Sequence, residues 1–207
     1  PLAAPCHVRP HADSYCMSAN ARVLEPTFSI GESLSRLFGW DQPVKLTHLL
    51  KQLQAFSREA SASSTDVEKL FVTLNDALTA YADPDAELSQ EDSALLRSLK
   101  ADRSIYLGAI DGVPTRFVTP RQVAMTTNGL DLQPHLFKTP PYLRSLEAVV
   151  SALGVRDSFE RDDFRGAMRQ AQTAPFLKEP PRAKLLAVLN AGREEDGRSE
   201  DFMSRCA

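Results

Sequence analysis

Four residues able to hold a soft metal ion open the chain. In CHVRPHADSYC, Cys6, His7, His11 and Cys16 fall within one short span. Thiolates and imidazoles are the ligands zinc selects, and a compact site needs them converging with supporting hydrogen bonds. Their spacing gives only weak support to such a site. The expected state is therefore an irregular leader or linker over 1–26 with no metal, and a zinc-dependent adaptor built on this cluster is the alternative.

The other chemistry-bearing residues are scattered. His48 follows Thr47 in a Leu-rich stretch, and a general base there would need a nucleophile and an orienting acid that the sequence does not name. It reads as a boundary residue on an amphipathic helix, and His135, between Pro134 and Leu136, reads as a packing residue. Asp162 and Asp163 are adjacent carboxylates that could share a proton or a cation. Their place in the first turn of a helix has a plainer cause, since acids there complement the helix dipole. The run REED at 193–196 is a solvated charge run. No glycine-rich dinucleotide or phosphate loop, no G-x-S-x-G elbow and no H-E-x-x-H pair occurs. No catalytic, cofactor-binding or metal residue is assigned, and the chain is expected not to be an enzyme; a small hydrolase or transferase with an unrecognised site is the alternative.

The stretch AIDGVPTRFVTP, residues 109–120, poses one further choice. Asp111-Gly112 could hold a phosphate or turn a hairpin. Asp-Gly between β-rich segments is a strong hairpin signal, and Pro114 cannot donate to a ladder. A hairpin with a loop longer than two residues is expected, delivering Phe117 and Val118 into the core.

The elements that would position these residues are mostly helical. KLTHLLKQLQAF places Leu46, Leu49, Leu50, Leu53 and Phe56 at the spacing of a core-facing stripe. Before it, Ile30, Leu34, Leu37 and Phe38 share one helical face that ends at Gly39-Trp40. Thr65-Asp66-Val67-Glu68 reads as a capping box opening a helix with Val67, Leu70, Phe71, Leu74, Leu78 and Tyr81 on one stripe. Asp83-Pro84-Asp85 should stop it, and Ser89 should open a short helix carrying Leu95, Leu96 and Leu99.

From Ser104 the period falls towards two, and SIYLGAI, TRFVT and QVAMTT are short strand candidates. NGLDLQPHLFKTPP, residues 128–141, reads as a turn-rich crossing. Helix returns at Pro141, with Leu143, Leu146, Val150 and Leu153 in its stripe and Gly154 as a left-handed cap. Short helices are expected around Phe164–Met168 and across PPRAKLLAVLNAG, followed by a polar tail over 191–207. The fold class is thus α+β, mostly helical, with a small antiparallel hairpin or sheet near residues 104–126. One domain is expected over 27–190, with Leu153 and Phe164 in its core.

With 207 residues the chain is long enough for one substantial core. Its net charge of −3, with both signs interspersed and no block of Lys and Arg, argues against the concentrated basic surface that nucleic acid or anionic membranes require, and neither is expected as a partner. No apolar run approaches the roughly 18 residues of a membrane span, and the start lacks the pattern of a signal peptide. Three cysteines near the termini do not make a disulfide framework, so a reducing, cytoplasmic setting is expected. The chain opens on Pro1 rather than Met and is expected to be a fragment of a longer protein.

From about Leu99 to Ala167, four pieces occur in order. They are Phe117-Val118-x-Pro120-x-x-Val123, then Leu132-x-Pro134-x-Leu136-Phe137-x-x-Pro140, then Ala152-Leu153-Gly154-Val155-x-Asp157-x-Phe159, and finally Asp163-Phe164. This series resembles the internal repeats of the sacsin family, and LFGWDQPVKLTHLLKQL upstream is similar to that family's helix pair. His135 stands where the pattern usually carries Tyr, and AIDGVPTRFV is longer than the usual link. The resemblance implies a non-enzymatic structural and interaction module of a very large cytosolic chaperone scaffold, acting in proteostasis and filament organisation. The implied partners are neighbouring repeats, filaments or chaperone clients. The Asn-bearing helix and D-x-G-x-G loop that hold nucleotide in that family's ATPase modules are missing, so ATP binding is not carried over and no cofactor is expected.

Overall fold

The structure is a computed structural model of the chain, and it describes residues 8–27, 30–59, 62–81, 87–108, 117–127, 133, 135–160 and 162–167. Contacts divide the chain into two units: Pro1–Pro120 with Pro140–Val155, and Arg121–Thr139 with Arg156–Ala207. This differs from the single domain expected over 27–190. The fold class is as expected, mostly helical with small two-stranded sheets.

The first unit is organised by α3 (Leu46–Arg58) and α4 (Ser64–Thr79), which pack on each other. The stripe read from the sequence is the buried face of α3: Leu49, Leu50 and Leu53 are sealed completely. On α4, Val67, Leu70, Phe71 and Leu74 are sealed in the same way, while Tyr81 lies at the surface. Each such side chain contributes about 1.5–3 kcal/mol of transfer free energy. Helix α5 (Gln90–Ala101) lies on α3 through Leu96 and Leu99, and α6 (Glu147–Leu153) lies on α4 and α5.

Cap chemistry decides several boundaries. Ser89 is the N-cap of α5, its hydroxyl accepting from the Asp92 amide at 3.1 Å. Gly154 closes α6 at φ 74°, a conformation that a Cβ would strain. The capping box expected at Thr65 and Glu68 does not form. The N-cap is Ser63, Thr65 lies inside the first turn, and it is Ser64 Oγ that donates to Glu68 Oε1 at 3.1 Å. Adjacent Ser63, Ser64 and Thr65 are all capable caps, and the chain starts its helix at the earliest.

Residues 8–24 depart most from expectation. Instead of an irregular leader they contain β1 (Val8–Arg9), a 3-10 turn at His11–Asp13, α1 (Ser14–Met17) and β2 (Arg22–Val23), with β1 and β2 paired in parallel. Helix α1 packs on α3 and α4 and buries Cys16 and Met17. Helix α2 (Glu32–Leu37) follows, but its apolar face is uncovered: Leu34 is 49% and Leu37 75% exposed.

Strands β3 (Ile105–Tyr106) and β4 (Phe117–Val118) pair antiparallel, Tyr106 opposite Phe117. Residues 107–116 connect them, a link longer than two residues; Asp111, Gly112 and Pro114 lie outside the described residues. The third strand candidate does not join this sheet. The chain turns at Pro120–Gln122, and β5 (Val123–Ala124), in the second unit, pairs in parallel with β6 (Phe137–Lys138). A parallel partner needs a crossover, and residues 125–136 supply it, so the crossing segment ends in a strand. On its other side β5 meets Arg156, with the Met125 amide donating to the Arg156 carbonyl at 2.9 Å. Residues 162–167 form α7. Phe164 is half-buried there rather than in the core, and its ring meets Phe159 edge-on at 6.0 Å. Met168, the PPRAKLLAVLNAG segment and the polar tail lie outside the described residues.

Candidate functional site

The N-terminal Cys/His cluster is divided by burial. Cys16 is 1% exposed and its thiol donates to the Asp13 carbonyl at 3.3 Å, while His11 is exposed. Burial, reinforced by the Asp13 charge, pushes the Cys16 thiol up to about 11. Cys6, His7 and Cys206 lie outside the described residues. Among the described residues no group of three or more His, Cys, Asp or Glu side chains could hold a metal ion.

His48 sits half-buried on α3, and its carbonyl accepts from Asn20 Nδ2 at 3.0 Å. Burial lowers its pKa first, and the cations Lys51, Lys45 and Arg9 lower it further. Its neighbour Thr47 does not serve it as a nucleophile. Thr47 Oγ1 donates to Asp92 Oδ1 at 2.6 Å, and Ser89 Oγ donates to Asp92 Oδ2, also at 2.6 Å. Asp92 is buried, so both its oxygens are spent on joining α3 to the start of α5. Outside it, Lys51 and Glu91 pair at 2.7 Å between the same helices.

Two more polar side chains tie elements together. Gln52 lies in the Leu stripe of α3, 1% exposed, and both ends of its amide are used. Its Oε1 accepts from the Ala19 amide at 2.7 Å, and its Nε2 donates to Ser18 Oγ at 2.9 Å. Tyr142 donates to the Tyr106 carbonyl at 2.9 Å and meets Phe71 edge-on at 5.5 Å. Burial, then the charges of Glu68 and Tyr106, pushes its phenol far up.

In the second unit the adjacent carboxylates diverge. Asp163 Oδ2 accepts from Arg156 at 2.6 Å and from the Glu160 amide at 2.9 Å, closing the first turn of α7. Asp162 pairs instead with Arg165 at 3.0 Å on the surface. They share neither a proton nor a cation site. His135 is buried, and its carbonyl accepts from Gln122 Nε2 at 3.2 Å, in keeping with a packing residue.

What the described surface offers instead is apolar. Leu34 and Leu37 project from α2 beside the tilted ring pair of Phe38 and Trp40, whose centroids are 5.2 Å apart. Val72 and Tyr81 on α4 are also exposed. Single exposed apolar residues are ordinary on any surface, but two on one turn next to an aromatic pair form a patch suited to protein contact. The sequence named the α2 stripe as a face and did not identify it as uncovered. It missed Gln52 altogether, though a polar residue three positions after Leu49 and one before Leu53 was the available signal.

No protein family, curated protein or solved structure matches the chain.

Proposed function

We propose that the chain is a non-enzymatic structural and interaction module of a sacsin-like chaperone scaffold, working in the cytoplasm in proteostasis and filament organisation. The observation that carries the interaction reading is the uncovered face of α2, with Leu37 75% exposed and Leu34 beside it. Two features support the scaffold reading. The polar groups best placed for chemistry, Asp92, Gln52 and Tyr142, are bound to other parts of the fold. The positions that carry the family resemblance, among them Phe117, Val118, Val123, Phe137 and Leu153, are buried and so encode packing. No described helix is long and apolar enough to cross a membrane.

Fluorescence anisotropy with peptides from filament and chaperone clients tests this reading. Saturable binding that weakens at least about tenfold in Leu37→Glu is expected, a typical penalty for placing a charge in an apolar contact. Saturable ATP hydrolysis by the chain would overturn it.

A further inference from the structure

We propose that Arg9 is the positioning residue of the apolar face on α2. Its guanidinium ties the end of that helix to the packed body of the first unit, and so fixes how Leu34 and Leu37 are presented to a partner. This goes beyond the interaction reading and rests on it.

Helix α2 has little else to hold it. Six residues are too few for a helix to persist alone in water. None of its residues is buried, and no other described element packs closely on it. Its two leucines, which would ordinarily fix a helix by burial, are exposed. What remains is the turn at its C-terminal end. Gly39 enters the left-handed region at φ 67°, and the Trp40 amide returns to the Ser35 carbonyl at 2.9 Å. The Gly39 carbonyl, between residues Phe38 and Trp40, accepts from the Gln42 amide at 3.3 Å. It also accepts from Arg9 Nη1 at 3.3 Å, across thirty positions of sequence.

Arg9 is itself firmly placed. It pairs with Val23 in the β1–β2 ladder, and its carbonyl accepts from the Leu24 amide at 2.9 Å. Its Nε lies 2.9 Å from Asp13 Oδ2, and Asp13 leads directly into α1, which packs on α3 and α4. A guanidinium presents its nitrogens in a rigid planar fork, so the Asp13 contact at Nε also aims Nη1 at the Gly39 carbonyl. The Arg9 side chain is only 12% exposed, and a hydrogen bond from a cation gains strength away from water. A line of contacts thus runs from the α3–α4 core through α1, Asp13 and Arg9 to the end of the exposed face.

Trp40 is the single tryptophan of the chain, so its emission reports on this turn alone. Arg9→Met keeps the apolar stem and the main-chain pairing and removes both contacts of the guanidinium. Arg9→Lys keeps the charge and loses the fork. In the full chain both variants should melt cooperatively in urea, while acrylamide quenches Trp40 more steeply than in wild type. The client peptides that bind wild type should bind both variants at least about threefold more weakly, the lower part of what one hydrogen bond contributes. Wild-type quenching in both variants overturns the proposal. So does client binding at wild-type strength by variants whose quenching has risen. If Arg9→Met does not fold, Arg9→Lys decides alone. If wild type binds no client peptide, the interaction reading fails by itself, and the quenching decides whether Arg9 holds α2.

Discussion

Asn75 of α4 caps a helix to which it does not belong: its Oδ1 accepts from the Ala148 amide at 3.1 Å, and from the next amide, Val149, at 3.4 Å. Those are the second and third residues of α6, the donors an N-cap side chain ordinarily satisfies. The residue at the N-cap itself is Leu146, which has no acceptor to offer. Asn75→Ala therefore removes a helix cap and a contact between α4 and α6 together. The expected cost is about 1–2 kcal/mol, the upper part of the range for lost caps. Asn75→Asp should cost less, because a carboxylate at a helix N-terminus is favoured by the dipole. Urea unfolding of both variants measures this, and equal losses would refute the capping role.

The Asp92 junction predicts coupling. Thr47 and Ser89 each donate to a different oxygen of the same buried carboxylate. Thr47→Val and Ser89→Ala should each destabilise by about 0.5–2 kcal/mol. Their effects should not add, because residues sharing one network interact by about 0.5–3 kcal/mol in a double-mutant cycle. Strict additivity in chemical denaturation would show that the two bonds act separately.

Core and surface positions of the resemblance should separate in the same assay. Leu153 is sealed against solvent, so Leu153→Ala is expected to cost about 2–5 kcal/mol. Phe164 is half-buried, and Phe164→Ala should cost less than the roughly 3–5 kcal/mol of a fully buried aromatic. The reverse order would mean that Phe164, not Leu153, anchors its surroundings.

Legibility followed the range of the interaction. The Leu stripe of α3, the Ser89 cap and the Gly154 stop are set by neighbours within a turn or two, and the local pattern carries them. Asn75 reaches across more than seventy positions to Ala148, so no local window contains its role. The elements at 8–24 escaped because strands of two residues and a helix of four are too short to show a period. The α2 face escaped for a different reason: Leu34 and Leu37 have the spacing of buried residues, and periodicity records a face without recording what covers it. Gln52 lies between these cases, visible as an interruption of the stripe but satisfied only by a segment about thirty positions upstream.

His48 supplies a dependence on pH whose sign follows from its surroundings. Its pKa is lowered in the fold, first by burial and then by Lys51, Lys45 and Arg9, while Glu91 acts in the opposite sense. A group with a depressed folded pKa binds a proton more readily when unfolded, so protonation favours unfolding. The contribution of neutral His48 is complete above the ordinary histidine value of about 6.5 and is lost as pH falls through the lower folded value. His48→Gln removes that titration and leaves the carbonyl bond from Asn20 in place, since the bond uses the main chain. Wild type should therefore lose more stability than His48→Gln when urea unfolding is repeated from neutral pH to below the ordinary histidine value. Raising the salt concentration should shrink the difference by screening the three cations while leaving the part due to burial. Parallel curves for the two proteins would mean that His48 has the same pKa folded and unfolded.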